Sequence, residues 1–489
     1  MSTVSTAGAS GTAGVSSTAV ARAEQRSVWL PRTAIAVLAV GAWFMPPPDG
    51  LTVQAWRLFT IFAAAIGSVV VNAVPILTAS VIAVAAAVLT GILPPAKAYA
   101  GFANGTILLI VLAFLVARAV VKCGLGTRLG HLVVSLFGRS TLGLSYSIFF
   151  VDGLIAPAFP SNTARSGVLY PLAYSLASAG GALAADGSRR RVGVLLMFSG
   201  IVSLSLSSAL WLTAMAANPL GTEIARSFGV EIGFGSWLAA ACVPTLAAMV
   251  LMPLLLRALI APEVNATPEA PAAARKALAA LGPLTRDERI VLAAFVGMIA
   301  LWASAATFKI DSTAVAFLGL GVLLVSGVLT LADIAKEGDV LATFIWFAVL
   351  YTLSSQLNEL GFMGYLGQRL AGSLAGLSPI LAGLALVVAY VALHYVFVSQ
   401  TAHLLALFGV FLDVGIRLGV PAAALAFQLL FATNYFAAIT PQGSSANLLF
   451  VGSGLLSQRD LYRLGGVITA CQMLIFLVVG TPWLMLVWR

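Results

Sequence analysis

Charge is what this sequence has least of. Only 9% of its 489 residues are Asp, Glu, Lys or Arg, while 60% are hydrophobic. A soluble domain carries about a quarter charged residues. So few charges cannot cover a water-facing surface, so the bilayer must be the solvent. Cysteine is also scarce. Cys123, Cys242 and Cys471 lie far apart without CxxC spacing, which implies neither disulfides nor a metal site. No GxxxxGK[ST] loop points to ATP-driven transport, and no cofactor is implied. No GxSxG, HExxH or paired catalytic Asp motif supports an intramembrane enzyme. The formal charge of +9 reports membrane topology here, not a nucleic-acid partner. Residues 1–28 lack the apolar core of a signal peptide and are acid-poor, with only Glu24. They read as a disordered cytoplasmic tail rather than an organellar transit peptide.

Long apolar runs are abundant. A helix needs about 20 apolar residues to cross the bilayer. About eleven runs qualify, from 29–44 to 464–487. Unbroken Ala, Val and Leu exclude the weak ten-residue alternation of a membrane β-barrel. Two further apolar stretches, 142–159 and 380–398, are interrupted by Gly, Pro or His and read as re-entrant hairpins. The expected fold is an all-α integral membrane protein. Lys and Arg mark the cytoplasmic side. Arg118, Lys122, Arg128, Arg139 and Arg189 to Arg191 fall in loops that are inside if the N-terminus is inside.

The chain reads as two related halves. Residues 29–260 hold a leading span and repeat 1, with a hairpin at about 141–163. Residues 261–289 are Pro/Ala-rich and charged, a cytoplasmic linker. Residues 290–489 form repeat 2, with a hairpin at about 378–402. Gly124 and Gly130 open an amphipathic stretch in the first half, as Gly361 and Gly367 do in the second. Each broken segment ends in a polar cluster: Ser161-Asn162-Thr163 with Arg165, and Ser399-Gln400-Thr401 with His403. The clusters are 399 − 161 = 238 residues apart. A second pair of breaks follows, at Thr213 to Asn218 and at Ser444, Ser445 and Asn447. Paired interrupted helices in an inverted repeat are the sequence signature of a secondary-carrier site.

Lipid cannot satisfy free backbone groups, so irregular backbone at membrane depth needs a cavity or protein around it. Helix N-termini offer free N–H groups and partial positive charge, which suits a carboxylate. Ser, Thr, Asn and Gln add uncharged donors. Two tips would therefore hold the two carboxylates of a small di- or tricarboxylate anion. Ser and Thr in spans often bond only the carbonyl one turn back; the matched pair of motifs favours a site. Arg165 reads as a substrate partner or as a side chain snorkelling to the interface. His403 reads as a ligand or a core histidine. Asn218 and Asn447 either cap broken helices or contact substrate. Asp152 and His394 read as structural, Glu223 and Asp413 as interfacial.

The segments SNTAR, LTAMAANPLG and ITPQGSSANLLFVGSG resemble the divalent anion:sodium symporter family. They look most like its citrate/succinate antiporter and plastid 2-oxoglutarate/malate translocator branch. The resemblance implies eleven spans with two re-entrant hairpins, a homodimer with a scaffold, and an elevator-like transport unit. It implies a bacterial inner-membrane location, or alternatively a plastid inner envelope. Ser161, Asn162 and Thr163 match the first substrate motif; Ser399, Gln400 and Thr401 fall at the second. Gln400 replaces the usual Asn, and Arg165 and His403 stand where symporters often have Thr. Symporters bind sodium there, and a fixed cation would repel it. Exchange of anions is therefore expected, with sodium-coupled symport, an anion channel and a membrane enzyme as rivals. The sequence leaves open 2-oxoglutarate, malate, succinate, tartrate and citrate.

Overall fold

The computed structural model describes residues 13–183, 187–374, 376–397 and 399–488, with side chains from residue 29 onward. The first half contains α1 (Ala13–Phe44), α2 (Val53–Val70), α3 (Ile76–Leu89), α4 (Gly105–Cys123), α5 (Leu125–Phe137), α6 (Thr141–Ile155), α7 (Asn162–Ala179), α8 (Arg190–Leu210), α9 (Ala217–Arg226) and α10 (Phe234–Ile260). The linker and second half contain α11 (Ala270–Leu281), α12 (Arg286–Phe308), α13 (Ser312–Val325), α14 (Gly338–Glu359), α15 (Phe362–Ser373), α16 (Pro379–Leu393), α17 (Gln400–Arg417), α18 (Ala422–Tyr435), α19 (Asn447–Val451), α20 (Gln458–Ile475) and α21 (Thr481–Val487). No strand occurs among the described residues. Nine of the described helical stretches are long and apolar enough to cross a membrane, and shorter apolar helices such as α3 and α13 add to them.

Three boundaries differ from the sequence reading. Helix α1 begins at Ala13, so residues 13–28 are helical; their Ala, Arg, Glu and Gln are good helix formers. The first twelve residues of the expected tail lie outside those described. The linker carries α11 and is pinned to the base of the first hairpin by Thr141 N–H to the Asn265 carbonyl (3.1 Å) and Thr267 N–H to that of Arg139 (3.0 Å). Both hairpins extend past their polar clusters: the returning arms α7 and α17 run to Ala179 and Arg417. Hydropathy marked only the outgoing arm, because the returning arm starts with the polar cluster.

The glycines that open the amphipathic helices do the same job twice. Gly124 and Gly361 cap α5 and α15 at φ of 77° and 81°, a left-handed turn that glycine adopts without strain. Each lets the chain leave a long span and run into a hairpin. The central helix of the first half, α8, is buried from Val192 to Leu210. Its counterpart α18 is buried from Leu425 to Tyr435, and the two helices pack together. Around them the outer helices expose large apolar side chains, including Leu89, Val325 and Ile380. That inversion, polar atoms at the centre and apolar ones outside, is what lipid demands.

Candidate functional site

The two hairpin tips have the same local build. The first arm α6 ends in a 3₁₀ turn, Ala156–Ala158, and Ser161 caps α7. The arm α16 ends in a turn, His394–Val396, and Ser399 caps α17. The caps have near-equal backbone angles, φ −145° and ψ 124° against φ −132° and ψ 124°. Each serine oxygen accepts the N–H three residues on, Ala164 at 3.2 Å and Ala402 at 3.3 Å. The caps leave other first-turn N–H groups free, as at any helix start. The tips meet: Asn162 Nδ2 donates to Gln400 Oε1 across 3.4 Å.

The two later breaks are held by asparagines. Asn218 donates to the carbonyls of Ser208 (2.8 Å) and Trp211 (3.2 Å), and accepts from Asn434 at 2.9 Å. Asn447 donates to those of Ala437 (2.7 Å) and Thr440 (3.0 Å). Each supplies donors to carbonyls stranded where a helix stops inside the protein. Thr213 is drawn the other way, donating to the Pro157 carbonyl at 2.9 Å and tying the break to the hairpin.

A cavity of about 520 Å³ opens between the tips. Its polar wall is Ser161, Asn162, Thr163, Ser399, Gln400, Thr401, Ser444 and Ser445. Thr163 and Ser445 share a hydrogen bond of 2.6 Å. Met215 and Ala216 line it from the break after α8, so that wall is apolar where the matching one is Ser444-Ser445. Across from the tips stand Phe114 of α4 and Trp346 and Phe347 of α14. The rim carries Glu337 and Asp339. Glu337 is paired with Arg118 at 3.0 Å. Nearby, a direct hydrogen bond from Lys122 holds the Asp333 carboxyl well below the ordinary carboxylate range. Two helix N-termini together present about one elementary positive charge, roughly half of what a dianion needs.

Arg165 and His403 are not on that wall. Arg165 is fully buried behind the first tip, its Nε 3.2 Å from Asp152 Oδ1 in an ion-pair approach. Its Nη2 donates to Asn162 Oδ1 (2.7 Å), Ser208 Oγ (2.6 Å) and the Leu204 carbonyl (3.0 Å). Ser207 donates to Asp152 Oδ2 at 2.5 Å. The repeat offset of 238 carries Arg165 onto His403 and Asp152 onto Tyr390. There the ion pair becomes a ring pair, with centroids 4.3 Å apart, and Phe397 and Phe436 close the cage around His403. His394 reaches the Gly443 carbonyl at 3.0 Å.

The sequence thus identified the polar wall but missed three parts. The serines of α8 were visible as the run Ser203 to Ser208, yet read as span. Asp152 was seen but its partner was not, although the repeat offset pairs it with the ring that faces His403. Glu337 and Asp339 line the cavity, and no motif in the sequence marks them. Glu223 lies between α9 and two neighbours, accepting from Thr106 (3.1 Å), Asn104 (3.5 Å) and Tyr351 (3.5 Å). Asp413 pairs with Arg417 at 2.6 Å.

A family model described as the sodium:sulfate symporter transmembrane region matches residues 26–489. The chain is 39% identical to a candidate malate transporter, YflS, of Bacillus subtilis, over 91% of this chain and 94% of that protein. It is 38% identical to dicarboxylate transporter 2 of spinach (Spinacia oleracea) chloroplasts, over 90% of this chain and 79% of the relative. It is 30% identical to the L-tartrate/succinate antiporter of Escherichia coli, over 93% and 98%. Among solved structures, the YdaH transporter of Alcanivorax borkumensis shares the fold, with a TM-score of 0.52 at 16% identity, over 80% of this chain and 88% of that one.

Proposed function

We propose that this chain, which belongs to the sodium:sulfate symporter family of membrane transporters, exchanges one dicarboxylate anion for another across the bilayer. The observation that carries this reading is the convergence of two capped helix N-termini on one cavity, with Asn162 and Gln400 3.4 Å apart between them. One carboxylate sits at each terminus. Ser161 and Thr163 serve the first, Ser399 and Thr401 the second, with Ser444 and Ser445 beside them. Arg165 acts from behind, by fixing Asn162. Asn218 and Asn447 hold the breaks that shape the cavity.

Exchange follows from electrostatics. A loaded cavity moves with the anion's charge partly offset by the termini. An empty one would carry unpaired N–H groups and hydroxyls through a low-dielectric gap, which is costly. Asp152 neutralises Arg165, so charge repulsion does not decide against sodium. What disfavours the cation at the first tip is that Asn162 Oδ1, the amide oxygen it would need, is turned inward and taken by Arg165 Nη2 and Ser208 Oγ. The body that moves is the hairpins with α8, α9, α18 and α19; α4 and α14 belong to the stationary wall of a homodimer. The N-terminus is cytoplasmic and the membrane is the bacterial inner membrane. The rim then faces the cytoplasm, since Arg118 and Lys122 lie at that end.

Labelled malate uptake into proteoliposomes tests this. Uptake that requires internal dicarboxylate and ignores a sodium gradient is expected. Sodium-driven uptake into empty vesicles would overturn exchange in favour of symport.

A further inference from the structure

We propose that Gln400 selects 2-hydroxy dicarboxylates over their unsubstituted and keto counterparts; this rests on the carboxylate reading above. Two buried amides at the tips face opposite ways. Asn162 Oδ1 accepts from Arg165 Nη2 at 2.7 Å and from Ser208 Oγ at 2.6 Å. Turning that amide over would set its NH₂ against a guanidinium, donor facing donor. Its oxygen is therefore locked inward and its nitrogen faces the cavity. Gln400 is locked the opposite way. Its Nε2 donates to the Thr433 carbonyl at 2.8 Å and approaches that of Asn434 at 3.5 Å. Turning it over would set oxygen against two carbonyl oxygens. Its Oε1 therefore faces Asn162 and the cavity.

The amide pair between the tips is thus a donor on one side and an acceptor on the other. Asn162 meets Gln400 Oε1 at 3.4 Å, a long contact that engages one of two lone pairs at most. Both residues are buried, at 8% and 6% exposure, so bulk water gives little relief to the second. With a carboxylate at each helix terminus, the carbons of the anion pass this pair. A keto oxygen can accept from the second Asn162 N–H but has no proton to give, so it leaves Gln400 Oε1 unmet. A methylene leaves the lone pair unmet, and that loss counts against binding. A hydroxyl donates to Gln400 Oε1 and satisfies it. Sites that hydrogen-bond a substrate hydroxyl discriminate against analogues lacking it more sharply than apolar pockets discriminate by size.

The test compares external malate, succinate and 2-oxoglutarate as partners for internal malate, each as kcat/KM. The wild type is expected to favour malate by about tenfold, the worth of one good hydrogen bond. Gln400→Leu is expected to bring the ratios within about twofold. Ratios are read because any change at a tip lowers absolute rates. Thermal stabilisation of the purified wild type by each acid gives the same ranking without a variant, malate first. Equal preference in the wild type, or an unchanged ratio in Gln400→Leu, overturns the role of Gln400. Absence of exchange with every acid overturns the carboxylate reading itself, and this inference with it.

Discussion

Arg165 Nε lies 3.2 Å from Asp152 Oδ1, both side chains fully buried, and the same guanidinium holds the amide oxygen of Asn162 at 2.7 Å. One cation therefore does two jobs: it neutralises a buried carboxylate on the outgoing arm and orients a cavity donor on the returning arm. Removing either partner leaves the other charge buried and unpaired, at about 3–5 kcal/mol. Arg165→Met and Asp152→Leu are each expected to lower the melting temperature in detergent sharply. The double variant should regain most of that stability, since an apolar pair of similar volume is tolerated. Transport should not return with it, because Asn162 has lost its guanidinium donor. A double variant as unstable as the singles would contradict the pairing.

Asn447→Ala strips the donor from the Ala437 and Thr440 carbonyls, both at the break after α18. Stranded buried carbonyls cost about 1–3 kcal/mol. Asn218→Ala strips two carbonyls and also the acceptor of Asn434, so it should cost more. Thermal unfolding of the two purified variants checks the order.

Glu223 joins α9 of the proposed moving body to Asn104 and Thr106 at the start of α4 and to Tyr351 of α14. These contacts must break if the body slides. Glu223→Ala should weaken the observed arrangement by about 1–2 kcal/mol, a five- to thirtyfold shift in population. Ser227 and Asn358, 3.4 Å apart across the same boundary, report it as a cysteine pair. Their cross-linking yield should fall several-fold in the Glu223→Ala background. An unchanged yield would mean that α9 and α14 do not separate.

The tips were legible in the sequence because an interrupted apolar run followed by Ser-Asn-Thr or Ser-Gln-Thr recurs at one offset. Their lengths were not legible. The returning arm α7 leaves no long apolar run because Asn162, Thr163, Arg165, Ser166, Ser175 and Ser178 interrupt it. The role of Arg165 was hidden for a different reason. Its carboxylate partner lies thirteen residues back on the opposite arm, and only the turn at Ala156–Ala158 brings them together. Asn218 and Asn447 were seen as candidates, but capping and ligation use the same amide, and only their carbonyl partners distinguish the two.

The claim that a dicarboxylate sits between the tips is tested most directly by substrate protection of a cysteine. Thr163 is exposed to the cavity and hydrogen-bonds Ser445 across it. In purified Thr163→Cys, with the three native cysteines replaced, the rate of thiol labelling is measured with and without malate. Malate is expected to slow labelling saturably, and a cysteine placed at lipid-facing Val325 to be unaffected. Labelling at position 163 that is indifferent to every dicarboxylate, in a protein that still exchanges them, would contradict that claim.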